Sequence, residues 1–247
     1  MDMMLTTLRE GLPQLDLALT PEIQEALCAF GHAVVRQNEV MNLTAITEPD
    51  QVAKLHLLDS LTVLKAADLQ GKTVIDVGCG AGFPGVPLKI GCPGMKLTLL
   101  DSLGKRMNWL EQILPTLGVE AECVTARAED AALGRRESYD FATSRAVARL
   151  NILLELTAPF VKVGGAVLAM KGAAAKEELE EAANAIRQLG LKLEKVLEFP
   201  MTALPTPSSC CAKSNPHPPN TPGATLKSSR ILCNLPTPRK IRGVFYM

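Results

Sequence analysis

Residues 74–85, VIDVGCGAGFPG, decide how the rest of the chain is read. An apolar run fit for a buried strand reaches Asp76, then Gly78, Gly80 and Gly82 follow, and an amphipathic segment starts near Val86. Strand, tight turn and helix start in that order set a backbone without Cβ atoms beside an open helix N-terminus, where a ligand can come close. A dinucleotide fold asks for G-x-G-x-x-G, but three residues beyond Gly80 stands Phe83, so that fingerprint fails. What remains, G-x-G-x-G behind an acidic strand end, is the pattern of S-adenosylmethionine sites. A tight βα connection with no ligand is the alternative.

Working outward, Lys96 to Leu100 is a second apolar strand ending in Asp101, 23 residues past Gly78. That is near the interval of about 20 residues at which an acid closing strand two meets ribose hydroxyls, although Asp101 could equally cap the helix of Lys105 to Leu114. Val119 to Thr125 reads as strand three, with Ala128, Glu129 and Asp130 at its carboxyl end, where an acid can accept from an adenine amine. Tyr139 to Thr143 is strand four and ends at Arg145, either a ligand for an anionic group or a salt-bridged surface residue. A helix over about 149–161, a Gly164-Gly165 turn, a strand over Ala166 to Met170, a charged helix over Ala174 to Leu189 and a sixth strand over Leu191 to Phe199 complete the pattern. Repeated βα units predict an α/β, mostly parallel doubly wound sheet.

Before the sheet, Thr20-Pro21 caps and starts a helix over about 21–37, carrying Ile23, Leu27, Phe30 and Val34 on one face. A second helix carries His56 and Asp59, read either as surface groups of a capped helix end or as site residues. The expected division is an N-terminal helical extension over 1–65, a Rossmann-like core over 66–204 and an irregular tail over 205–247.

With 247 residues and 47% hydrophobic content, the chain can fill one large α/β core or two small ones. Basic and acidic residues balance at 26 each, so the total charge neither favours nor excludes a nucleic-acid partner. The seven cysteines have no C-x-x-C spacing and read as reduced thiols of a cytoplasmic protein, with neither a disulfide frame nor a metal site. No secretory signal and no apolar run of about 18 residues is present, so no membrane partner is expected.

Taken together, Asn42 to Ala45, His56 to Ser60, VIDVGCGAGFPGVPL, LLDSLGKRMNWL from Leu99, Ala128-Glu129, Ser144 to Ala148 and Lys171-Gly172 resemble the RsmG (GidB) family. Those methyltransferases place a methyl group from S-adenosylmethionine on N7 of a guanosine in 16S ribosomal RNA. The resemblance implies a class I S-adenosylmethionine-dependent methyltransferase acting on 16S RNA or the small ribosomal subunit; a monomer is expected. It puts Gly78 and Phe83, on the turn with Gly80 and Gly82, beside the methionine part of the cofactor. Asp101 then faces the ribose, Ala128 and Glu129 the adenine, and Arg145 the remaining edge. No catalytic base is assigned, since N7 attacks through an in-plane lone pair. Gln37, where the family usually has Trp, and Leu55, where it usually has a basic residue, depart from the pattern. Two other functions fit the same pocket: methylation of a small molecule or protein, and cofactor binding without catalysis in a chain inactivated by its altered tail.

The tail is unlike the rest. From about Pro205 it is rich in Pro and Ser with paired cysteines and shows no period. Read from the third base of Cys211 with free choice of synonymous codons, residues 211–232 can spell RQIKPTPPKYPRRYAEIKQNPL, which resembles the family's basic carboxyl terminus. Extended backwards, the shifted frame allows Leu-Val-Leu over Ser209 to Cys211, an apolar strand. The expectation is a frameshift near Pro205 to Ser208, with a last sheet strand lost.

Overall fold

The computed structural model describes residues 2–199 and 241–246. Ahead of the sheet stand α1 (Met3–Gly11), α2 (Pro21–Met41) and one continuous helical stretch. That stretch runs from α3 (Pro49–Val52) through a wide π segment (Ala53–Leu58) into α4 (Asp59–Leu61). Asp2 caps α1 by accepting from the Met4 and Leu5 N–H groups, and Pro21 opens α2 where no N–H is needed.

The βα units follow as β1 (Thr73–Val77), α5 (Gly85–Gly91), β2 (Lys96–Asp101), α6 (Gly104–Thr116), β3 (Ala121–Thr125), α7 (Ala128–Arg135), β4 (Tyr139–Arg145), α8 (Leu150–Thr157) and β5 (Val161–Met170). Then come α9 (Ala175–Glu181), α10 (Ala183–Gln188), β6 (Leu191–Leu197) and β7 (Ile241–Tyr246). The strands lie in the order β3-β2-β1-β4-β5-β7-β6, with every pair parallel.

Both faces are covered, and the period of two decides which residue goes where. Val74, Leu99 and Leu168 face a cluster shared with Met4, Phe30, Leu57 and Leu110, while Ile75, Leu100 and Val167 face one built with Leu153, Leu154 and Phe160. The N-terminal helices thus close one side of the sheet. No helix among the described residues is long and apolar enough to cross a membrane.

Four expectations change. Gly164 and Gly165 lie within β5, where the β4 ladder slips between Tyr139 and Phe141. A Cβ on Gly165 would run into the Asp140 carbonyl, so the pair makes an irregular strand, not a turn. The helix expected over 149–161 stops at Thr157 and tightens into a 3-10 turn over Ala158–Phe160, because Pro159 cannot continue it. The charged helix breaks in two at the buried Ala182. The tail expected to be irregular supplies β7, which pairs with both β5 and β6, so a last strand is present; Ile, Val, Phe and Tyr are residues of high strand propensity. The shifted-frame string lies outside the described residues.

Candidate active site

The carboxyl ends of β1, β2, β3 and β4 meet at the glycine turn, where open α/β sheets hold ligands. Gly78 takes φ 71°, and a Cβ there would run into Val147, so only glycine passes this point unstrained. The Gly78 and Cys79 N–H groups both donate to the Leu100 carbonyl, at 2.7 and 3.2 Å, tying the turn to β2. Asp101 closes the arrangement, its Oδ2 accepting from the Gly80 N–H and its Oδ1 from the Leu103 N–H, each at 2.9 Å. A carboxylate has about four acceptor positions, so two remain for a pair of hydroxyl donors.

Asp76, at the inner end of the turn, has no solvent exposure. Its Oδ2 accepts from the Gly85 N–H at 2.8 Å, and its Oδ1 has no partner among the described residues. Burial pushes this carboxyl up to about 7, against the pull of the Gly85 N–H and the more distant Arg145.

Around this turn lies a cavity of about 300 Å³, lined by Gly78, Asp101, Arg106, Arg127, Ala128 and Glu129. Its size is at the lower end of the range of about 300–1,000 Å³ in which small molecules are held. A larger cavity of about 660 Å³ opens beside it over the ends of β4 and β5, lined by Asp59, Arg145, Lys171 and Phe199 among others. Ala146 lines both.

Arg145 anchors the wall between them. Its Nη1 donates to the Leu55 carbonyl at 2.8 Å and to Asp59 Oδ2 at 2.9 Å, and its guanidinium carbon sits 5.1 Å from the centre of the Phe83 ring. His56 stacks on Phe83 with ring centres 4.7 Å apart. His56 Nδ1 lies 3.1 Å from both Arg145 Nη2 and the Leu55 carbonyl. A guanidinium can only donate, so Nδ1 accepts, and Nε2–H donates to Thr44 Oγ1 at 2.8 Å. Burial, helped by the Arg145 charge, lowers His56 to about 4, which keeps the ring neutral.

Of the residues singled out from sequence, Gly78, Asp101, Ala128 and Glu129 therefore share one cavity, and Gly80 reaches it through Asp101. Gly82 and Phe83 turn inward, Gly82 against Val86, Leu110 and Phe30, and Phe83 beneath Arg145. Arg145 lines the neighbouring cavity. His56 and Asp59, left open between surface and site, are brought to Arg145. Arg106 and Arg127 were not singled out; the signal for Arg127 was its place between the end of β3 and Ala128.

A parallel sheet of this order, with a glycine turn after β1 and a carboxylate closing β2, is that of a Rossmann-like, class I S-adenosylmethionine-dependent methyltransferase. The family model described as GidB, rRNA small subunit methyltransferase G, matches residues 23–203, and the chain belongs to that family. It is 44% identical over 196 residues to the ribosomal RNA small subunit methyltransferase G of Alkaliphilus metalliredigens, an alignment covering 78% of this chain and 82% of the relative. To the protein of the same name from Leuconostoc citreum it is 45% identical over 189 residues, covering 74% and 79%. The family expected from the sequence motifs is the one found.

Proposed function

We propose that this methyltransferase moves the methyl group of S-adenosylmethionine onto N7 of a guanosine in 16S ribosomal RNA, free or within the small subunit. The observation that carries the reading is the pair of cavities sharing Ala146, one lined by Gly78, Asp101 and Glu129 and the other by Asp59, Arg145 and Lys171. The residues fit the cofactor: Asp101 keeps two acceptor positions for ribose hydroxyls, Gly78 leaves room where any side chain would meet Val147, and Glu129 lines the same hollow for an adenine amine. When bound, the cofactor supplies a methyl group activated by a sulfonium charge.

The chain's own part is positioning. Guanine N7 needs no proton removed, and His56 is a poor base, its pKa lowered to about 4 and its Nδ1 already accepting from Arg145. Arg145 is held by Leu55, Asp59 and the Phe83 ring, a rigid wall against which a base can be kept in line with the methyl carbon. The target edge faces the deep, narrow groove of A-form RNA, so a loop or splayed base is the substrate form this site suits.

The test is to map N7-methylguanosine in ribosomal RNA from cells with and without the gene. Single-turnover assays with tritiated cofactor on bare 16S RNA, small subunits and metabolite extract complement it. One guanosine losing its methyl mark, with label entering RNA or subunits, is the expected result. Label entering only the extract would replace it with small-molecule methylation.

A further inference from the structure

Resting on the N7-guanosine reading above, we infer that Asp59 selects the target base, its carboxylate accepting from guanine N1–H and N2–H while N7 faces the wall at Ala146. Ala146 is common to both cavities, whereas Asp59 lines only the larger one. A purine whose N7 edge points to the shared wall turns its opposite edge, the one bearing N1 and N2, toward the unshared walls.

Among the described residues three carboxylates line those walls, and Asp59 is the one paired with Arg145, the residue before Ala146. Glu178 Oε2 is held by Lys171 and the Leu150 N–H, and Glu198 pairs with Lys176. Lys171 Nζ donates to the Ala148 carbonyl and to Glu178, both at 2.6 Å, and Lys176 pairs with Glu198 at 3.1 Å. Arg145 is spent on Leu55, Asp59 and His56. Asp59 Oδ2 takes one Arg145 hydrogen, but Oδ1 accepts none from any described residue, on a side chain 30% exposed. Burial pushes the Asp59 carboxyl up, and the Arg145 ion pair offsets part of that rise and fixes the carboxylate's direction.

The chemistry matches guanine and excludes adenine. Guanine offers two parallel donors on that edge, which a carboxylate accepts as a pair; adenine offers a lone pair at N1, which a carboxylate repels. Methyl transfer also moves positive charge onto the purine. The attraction to Asp59 therefore grows along the reaction, so the contact favours the transition state over the bound substrate.

The experiment is single-turnover methyl transfer to 16S RNA or small subunits carrying guanosine or inosine at the target, using the full chain and Asp59→Asn. Inosine lacks only the 2-amino group. The intact protein should prefer guanosine by about tenfold or more, the size expected for a hydrogen bond to a charged group. Asp59→Asn should lose about 10- to 100-fold on guanosine and no longer distinguish the two bases. Cofactor affinity by calorimetry should change by less than about threefold, since the amide oxygen can still accept from Arg145. Equal rates of the intact protein on guanosine and inosine overturn the inference whatever the variant does. So does a variant that is slower yet keeps the preference. If the intact protein methylates no RNA guanosine, the underlying function falls and Asp59's role with it, which the inosine comparison tells apart from failure of the Asp59 assignment alone.

Discussion

Asp76 and His56 are both buried, and burial moves them in opposite directions. Asp76 rises from 3.8 to about 7, so the folded chain keeps a proton that the unfolded chain has lost. Its contribution to stability is whole below about 3.8 and is lost as pH climbs through about 7. His56 falls from 6.5 to about 4, so the unfolded chain takes up a proton that the folded one refuses. That contribution is present above 6.5 and is lost as pH drops through about 4. Between these limits the two slopes oppose. Urea denaturation of the intact protein should therefore give nearly level stability from pH 4 to 6.5. Asp76→Asn should show stability rising across that window, and His56→Gln should show it falling, each by on the order of 3 kcal/mol. Parallel profiles in the two variants would refute the pairing. At this scale the glycines and Asp101 were legible because their spacing is local. Arg145's partners were not, since Leu55, His56 and Asp59 lie 86 to 90 residues earlier in the chain.

The join between β1 and α5 is where an element depends on a single missing atom. A Cβ on Gly85 would stand 2.8 Å from both Asp76 Oδ2 and Leu99 Cδ2, and neither neighbour has room to retreat, both being fully buried. Gly85→Ala should cost about 1–3 kcal/mol, the usual penalty for overpacking a filled core, and should lower the melting temperature accordingly. Gly134, near the end of α7, has nothing within 4 Å of its missing Cβ, and its backbone is helical. Gly134→Ala should leave the fold unharmed and add about 0.5–1 kcal/mol by stiffening the unfolded chain. A destabilised Gly134→Ala would show that glycine content alone, not the contact at Gly85, sets these effects. The strand–turn–helix of this join was readable because apolar period and glycine spacing change together at Asp76. The break between α9 and α10 was not: it falls at Ala182, and alanine is the best helix former, so only burial against the second core cluster marks it. The widened turn over Ala53–Leu58 likewise leaves no trace in a pattern that reads as ordinary helix.

At the scale of the whole molecule, the sheet is completed by residues from the far end of the chain. Among the described strands β6 pairs with β7 alone, so β6 keeps its place in the sheet only through Ile241–Tyr246. The connection that brings β7 back comprises residues 198–240, whereas the shifted frame would place an apolar strand over Ser209 to Cys211, leaving residues 198–208 to connect it. A link about fourfold shorter reduces the closure entropy by about 1 kcal/mol. The shifted string also carries three Arg and three Lys over residues 211–232, where the chain as written has Lys213, Lys227 and Arg230. A chain rebuilt with the shifted tail should melt about 2–4 °C higher. Its affinity for 16S RNA should fall more steeply with salt, the logarithmic slope steepening by up to about 2 if the added cations each meet a phosphate. Equal melting temperatures and equal slopes would show that β7 as written serves the sheet as well and that the lost cations do not touch RNA. Codons in the gene incompatible with the shifted string would remove the frameshift itself.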